Sequence, residues 1–302
     1  MLAPLALSCF MALAGLSQAA EQAPVRFKDL DEAGIAQALR GIHKSHPLLP
    51  DRIAAVSAAF LGTPYRLGPM GEGADGEFDR GPLYSFRELD CTTFVEEVMA
   101  LSLEADLEKA KALLQRIRYK GGQVSYVERN HFPEADWLPN NQAAGLLKDI
   151  SLEVAGTRAE VSHKRISKRA WHAGHTLKDV KGFPDASAAE QEARLKRMQE
   201  LGRQFEDAVS TVPYVPLALV PELLDRIPSG TIANLVRANL PDKPVVITHQ
   251  MLIVVKGGQR FVRHAASGKA VEDQPAQEFF QRYAKASWPV VGLNLDQIRD
   301  RR

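Results

Sequence analysis

A lone cysteine falls at the start of a helical pattern in FRELDCTTFVEEVMALS, residues 86–102. Asp90 is a good N-cap residue. Behind it Phe94, Val98 and Leu101, flanked by Val95, Met99 and Ala100, follow the i, i+3, i+4, i+7 spacing of an amphipathic helix. Cys91 is then the first helical residue, among backbone N–H groups without intrahelical partners, where the positive end of the helix dipole favours a thiolate. A thiolate nucleophile needs a base, and the base needs an orienting group. His249 lies in the apolar run PVVITHQMLIVV (244–255) and His264 in RFVRHAA (260–266). KGGQ (256–259) between them is a hairpin signal, and neighbouring antiparallel strands can bring both imidazoles onto one face. Thiol and paired imidazoles together make acyl transfer through a thioester the leading chemistry.

The other histidines carry weaker signals. His43 and His46 sit at a helix end, which suits a cation near the negative pole of the dipole. His163 lies in a basic stretch. WHAGH places His172 and His175 three apart, without a carboxylate or cysteine partner at ligand spacing. A metal-dependent hydrolase using His131, Asp136, His172 and His175 is the rival chemistry; neither a metal nor a cofactor is expected. RNHFPEADW (129–137) strings Arg129, Asn130, His131, Asp136 and Trp137 together in a loop with the composition of a recognition surface. Its other reading is a tryptophan that packs a loop onto the core. Arg66, Arg80 and Arg129 could hold carboxylates or stand as solvated charges.

The elements that must position these groups are mixed, and the expected class is α+β. Residues 28–42, 51–61 and 106–119 read as helices, and Gly/Pro-punctuated 61–86 as a loop leading into the cysteine helix. Strands are expected at 231–237, 244–255 and 260–266. Residues 125–215 lack clear strand alternation and contain a strongly charged helix (187–207), so they read as an insertion or lid.

MLAPLALSCFMALAGLSQAA (1–20) is a short apolar run ending in small residues, the pattern of a secretory signal peptide cleaved near Ala19 or Ala20. A single catalytic domain over 21–302 and a periplasmic or secreted location are the corresponding expectations. Of the two cysteines, removal of this segment leaves Cys91 alone, unable to form an internal disulfide. A formal net charge of +1 argues against nucleic acid or an anionic membrane surface as a partner. No second segment approaches the roughly 20 apolar residues of a membrane span, so stable membrane insertion is not expected. A monomer is.

LGTPYRLG, LDCTTFVEEVMAL, THQMLIVV and RFVRHAAS occur in this order. Together they resemble the NlpC/P60 superfamily of cysteine peptidases and amidases, with its G-T-P-Y-x-x-G loop, D-C-[ST] helix start, H-[VA]-G-I strand and polar residue on the next strand. LDCTTFVEEVMAL with RNHF…DW is similar to the DUF1460 branch of N-acetylmuramoyl-L-alanine amidases. The resemblance covers about residues 55–285. It implies a papain-like core, the cysteine helix packed on an antiparallel sheet, with a helical N-terminal segment and a central insertion. It also implies Cys91 as nucleophile, His249 as base, His264 as the residue orienting it, and Tyr65 as a hydroxyl near the nucleophile. The implied substrate is peptidoglycan or a muropeptide, cut between N-acetylmuramic acid and L-Ala. A D-Glu–diamino acid endopeptidase of the same superfamily and an inactive cell-wall binding module are the alternatives. Arg66, Arg129, Asn130, His131, Asp136 and Trp137 are candidates to hold the substrate. Gln250 and Met251 replace the valine and glycine that usually follow the base, and Met251 is expected to narrow the cleft or change its shape.

Overall fold

Helix α1 (Glu32–Ser45) begins where the Asp31 carboxylate accepts the Gly34 N–H at 2.8 Å, and α2 (Leu49–Ala59) follows the HPLLP break. Asp90 and Thr93 form a reciprocal capping box that starts α3 (Cys91–Leu103), and Asp106 caps α4 (Leu107–Arg118). These four helices lie near their expected positions. The computed structural model describes residues 25–300, and the expected signal peptide, 1–20, lies outside them.

The character of α3 differs from expectation. Rather than presenting one apolar stripe, it buries every residue from Thr93 to Leu103. Phe94, Val98 and Leu101 meet α1, α2 and the sheet in one large core, while Glu96 and Glu97 are buried at 3% and 2% exposure. Truncating a side chain as central as Phe94 to alanine would cost about 3–5 kcal/mol.

Six short helices complete the described set: α5 (Leu138–Ala143), α6 (Ser151–Ala155), α7 (Lys168–Ala173), α8 (Ala188–Glu200), α9 (Val220–Leu223) and α10 (Ala276–Gln281). The strands are β1 (Leu147–Asp149), β2 (Glu160–Ile166), β3 (Ala208–Pro216), β4 (Thr231–Arg237), β5 (Ile247–Lys256), β6 (Gln259–Ala265), β7 (Val271–Pro275) and β8 (Val290–Ile298). They form one antiparallel sheet in the order β2-β3-β8-β4-β5-β6-β7, with β1 also against β8. The fold is α+β.

Central strands are buried on both faces. Ile232, Val236, Leu252, Val254 and Ala265 join the core under α1–α4. Ala233, Leu235, Met251, Ile253 and Val262 join a second core with α6, α9 and α10. At the β5–β6 turn, Gly257 and Gly258 have φ of +55° and +78°, a conformation that L side chains resist. Where β8 passes β3, a Cβ on Gly292 would lie 2.2 Å from the Val215 carbonyl oxygen, so only glycine lets the strands approach.

The stretch 125–215 corrects the sequence reading in one respect. It carries β1, β2 and β3, and both β1 and β3 pair with β8, so this stretch shares the central sheet. β2 is mostly exposed and β1 has only three residues, which explains the missing alternation. The charged helix α8 is as solvated as expected, with Met198 its one buried residue.

Candidate active site

The segment after α2 is drawn between the future nucleophile and the β6–β7 turn. Tyr65 N–H donates to the Lys269 carbonyl at 2.9 Å, Arg66 N–H to Leu89 at 3.1 Å, and Leu89 N–H to Pro64 at 3.0 Å. Tyr65 is thereby held beside Cys91, and its hydroxyl is hydrogen-bonded to the Ser267 side chain. Burial, then the neighbouring Cys91 and Asp90, push the Tyr65 phenol upward, which keeps it a donor at neutral pH.

Asp90 is committed to structure. Its Oδ1 accepts the Thr93 N–H at 2.8 Å and its Oδ2 accepts the Gly68 N–H at 2.9 Å, tying the loop to the helix start. Cys91 is half-buried, and its sulfur is hydrogen-bonded by the backbone of Gln250, the residue after His249.

A bulge delivers the histidine. β5 pairs with β4 at Asn234–Gln250 and again at Val236–Ile247, which leaves one extra residue on β5 around Thr248 and His249. Such bulges re-aim side chains. Extending the β5–β6 register from Leu252–Arg263 puts His264 opposite Met251, diagonal to His249. The two imidazoles meet with His249 Nε2 and His264 Nδ1 2.8 Å apart, their rings perpendicular and packed on Phe279. The structure therefore holds Tyr65 near Cys91, sets the Gln250 backbone against the thiol, and pairs His249 with His264 on the adjoining hairpin.

Protonation departs from the sequence argument. Burial, with the Asp90 carboxylate second, pushes the Cys91 thiol up to about 11, despite its hydrogen bonds from Gln250 and Thr92. Burial, then the neighbouring His264, lowers His249 to about 3, and burial lowers His264 to about 4. The helix terminus does not outweigh desolvation, which favours the thiol and the neutral imidazoles.

The other expected contacts separate into exposed and buried. Arg66 is exposed and pairs with Glu88 at 2.8 Å. Arg80 lies over the Phe183 ring. Arg129 is drawn inside, 3.4 Å from Glu72 and 3.3 Å from Asp79, and donates to the Met70 carbonyl at 2.5 Å. Asn130 holds the Ile117 carbonyl and accepts from Asn140. Asp136 accepts from Phe132 N–H and pairs with Lys168. Trp137 is fully buried and donates its indole N–H to Glu96 at 3.0 Å. RNHFPEADW therefore corrects to its packing alternative: Pro133–Trp137 is a buried π-helical turn, not an exposed recognition loop.

His131, His172 and His175 pack against Trp171 instead of converging with Asp136. Among the described residues, no three His, Cys, Asp or Glu side chains are placed to share a metal ion. Met251 corrects another expectation. It is fully buried in the second core and does not narrow a cleft, whereas Gln250 donates to Asn234 at 2.9 Å.

Sequence reasoning missed the interior beneath the nucleophile. Arg118 pairs with Glu96 at 2.6 Å in a buried bridge, and burial raises Glu97 to about 8, so Glu97 is largely protonated as it accepts the Ser85 N–H at 2.9 Å. Adjacent glutamates on a helix read as a solvent face. The only available hint was their position in a helix otherwise apolar on every side.

A helix-borne thiol thus lies against an antiparallel sheet whose β5–β6 hairpin carries two paired imidazoles. The chain belongs to the AmiA-like family, N-acetylmuramoyl-L-alanine amidase-like, whose family model matches residues 55–287. It is similar to a Legionella pneumophila protein of the DUF1460 family model, with 30% identity over 88% of this chain and 95% of that one and a TM-score of 0.81. An N-acetylmuramoyl-L-alanine amidase from Bacteroides uniformis shares its fold at 21% identity, with 83% of this chain and 99% of that one covered and a TM-score of 0.63. None of the curated proteins matches the chain.

Proposed function

We propose that the protein is a cysteine-dependent N-acetylmuramoyl-L-alanine amidase that cleaves the amide between N-acetylmuramic acid and L-Ala in peptidoglycan fragments. One observation carries the chemistry: Cys91 lies against the backbone of the residue following His249, and His249 is paired with His264 at 2.8 Å. Membership of the AmiA-like family supports the substrate class. On this reading the layered helices and sheet are a papain-like NlpC/P60 core.

Cys91 Sγ attacks the amide carbonyl carbon as its proton passes to His249 Nδ1. Backbone N–H groups at the start of α3, with the Tyr65 hydroxyl, stabilise the oxyanion. The imidazolium then gives its proton to the leaving amine as the C–N bond breaks, and His249 activates the water that hydrolyses the thioester. His264 holds His249 in position. Arg66, the exposed member of the predicted binding set, is assigned to a substrate carboxylate. No helix among the described residues is long and apolar enough to cross a membrane, and the apolar leader supports action in the periplasm or outside the cell.

The test is mass spectrometry of MurNAc-L-Ala-D-Glu-diaminopimelate incubated with wild type and with Cys91→Ala. Free L-Ala-D-Glu-diaminopimelate from wild type alone is the expected result. Release of diaminopimelate would move the protein to the endopeptidase branch. If Cys91→Ala cut as well as wild type, cysteine catalysis would be wrong.

A further inference from the structure

His264 has a second face that the reaction above leaves unused. Its Nε2 is buried without a hydrogen bond, and the nearest acid is Glu272, whose Oε1 lies 3.9 Å away. The two residues are direct cross-strand partners on β6 and β7. We infer that Glu272 is a positioning residue that fixes the proton arrangement of the His249–His264 pair and so keeps His249 basic toward Cys91. This inference rests on the proposed cysteine mechanism.

Two neutral imidazoles joined through His249 Nε2 and His264 Nδ1 hold one proton between them, and either ring can be its donor. If His249 donates, its Nδ1 carries a lone pair and can take the proton of Cys91. His264 then bears its own hydrogen on Nε2, directed at Glu272. If His264 donates instead, His249 carries its hydrogen on Nδ1 and cannot act as a base. In that case the Nε2 lone pair of His264 confronts a carboxylate, which is repulsive. Glu272 therefore favours the competent arrangement and penalises the other.

The geometry leaves room for this. Glu272 is only partly buried, with its side chain 29% exposed, and a small rotation of a flexible carboxylate closes a gap of 3.9 Å. Gln274 donates to the same oxygen and Lys269 lies 3.5 Å from it, so the carboxylate is braced from its solvent side. Asp273, the next residue, is turned away and held by Arg263 at 2.7 Å and Lys256 at 2.7 Å. Around the pair stand Glu272 and Asp273 from β7, Lys269 from the turn, Arg282 beyond α10 and Arg237 from β4. Lys269, Arg237 and Arg282 disfavour an imidazolium, and Glu272 is the largest opposing influence on His264. When His249 takes the thiol proton, the Glu272 side chain favours the cation through His264.

The experiment combines kinetics on the muropeptide with nitrogen-15 NMR of the full-length chain, comparing wild type, Glu272→Gln and Glu272→Ala. In wild type at pH 7, His264 is expected to show a protonated Nε2 and an unprotonated Nδ1. In Glu272→Ala that preference weakens, kcat falls on the order of 10²-fold with KM nearly unchanged, and the acid limb of the kcat/KM profile moves to lower pH. Glu272→Gln, which keeps an acceptor without the charge, falls between the two. A wild-type His264 protonated on Nδ1 would overturn the inference, as would a Glu272→Ala enzyme with unchanged kcat and pH profile. The NMR result needs no substrate, so a protein that fails to cut muropeptides yet shows the Nε2 tautomer would sink the proposed reaction and leave the tautomer assignment standing.

Discussion

Two groups of buried imidazoles occupy this molecule, and they differ in what their nitrogens are free to do. His249 and His264 face each other at 2.8 Å on a hairpin, beside Cys91. His131, His172 and His175 surround Trp171 at 4.5, 4.8 and 4.3 Å between ring centroids. Burial is the first cause of a lowered pKa in all five. In the second group, His131 and His175 spend Nε2 on fixed neighbours. His131 Nε2 lies 2.7 Å from the Tyr126 carbonyl and His175 Nε2 3.1 Å from the Tyr126 hydroxyl, while His172 stacks flat on Phe205. Among the described residues, His249 Nδ1 makes no hydrogen bond, and the backbone of the next residue, Gln250, lies against the Cys91 thiol. A perturbed imidazole therefore does not mark a catalytic one.

The strongest way to break that comparison is His249→Ala. Turnover of the muropeptide should drop by at least about 10³-fold, with the far-ultraviolet spectrum and urea midpoint nearly unchanged. Retention of more than a tenth of wild-type activity would show that the hairpin pair is not the base. Tyr65→Phe sharpens the catalytic side. Losing one donor at the oxyanion should cost on the order of 10²-fold in kcat, and a change confined to KM would make Tyr65 a binding residue. Trp171→Ala probes the other group. Removing the ring at the centre of the three imidazoles should destabilise the protein by about 3 kcal/mol in urea titration. Activity per folded molecule should be unaffected, and a matching loss of kcat would make the aromatic cluster part of the site.

Much of the site was legible because local signals and function coincide there. Asp90 and Thr93 form the capping box that D-C-T-T announces, and KGGQ turns between the strands that carry His249 and His264. What was hidden depended on tertiary burial. Glu96 and Glu97 look like a solvent face, but Arg118, Trp137 and the Ser85 N–H reach them inside the fold. Strand β8, the spine between β4 and β3, carries Asn294 and Asp296 at 1% and 0% exposure, and these polar residues interrupt the apolar run expected of a central strand. The thiolate inference failed for a related reason. A helix N-terminus can be read from sequence, whereas the desolvation that opposes it cannot.

The smallest expected effect is the most selective. The folded-state pKa of His172 is lowered to about 4 from an ordinary 6.5, with burial as the first cause and the neighbouring His175 second. The unfolded chain therefore takes up this proton first as pH falls from about 6.5 towards 4, and native stability declines across that window; above it the group has no effect. His249 and His264 add losses of the same sign. His172→Phe removes one titrating group and keeps a ring that can stack on Phe205, which lies parallel within 3° at 5.5 Å. His172 Nδ1 has no hydrogen bond to lose, although the contact of the ring with the Met198 backbone is sacrificed. At pH 7 the variant should match wild type in activity and be weaker by about 1 kcal/mol in stability. Its stability should fall less steeply between pH 6.5 and 4.5, by on the order of 1 kcal/mol, measured by urea titration at each pH. Parallel stability curves for the two proteins would show that His172 is protonated as easily folded as unfolded, and a changed kcat would join the two imidazole groups that the fold keeps apart.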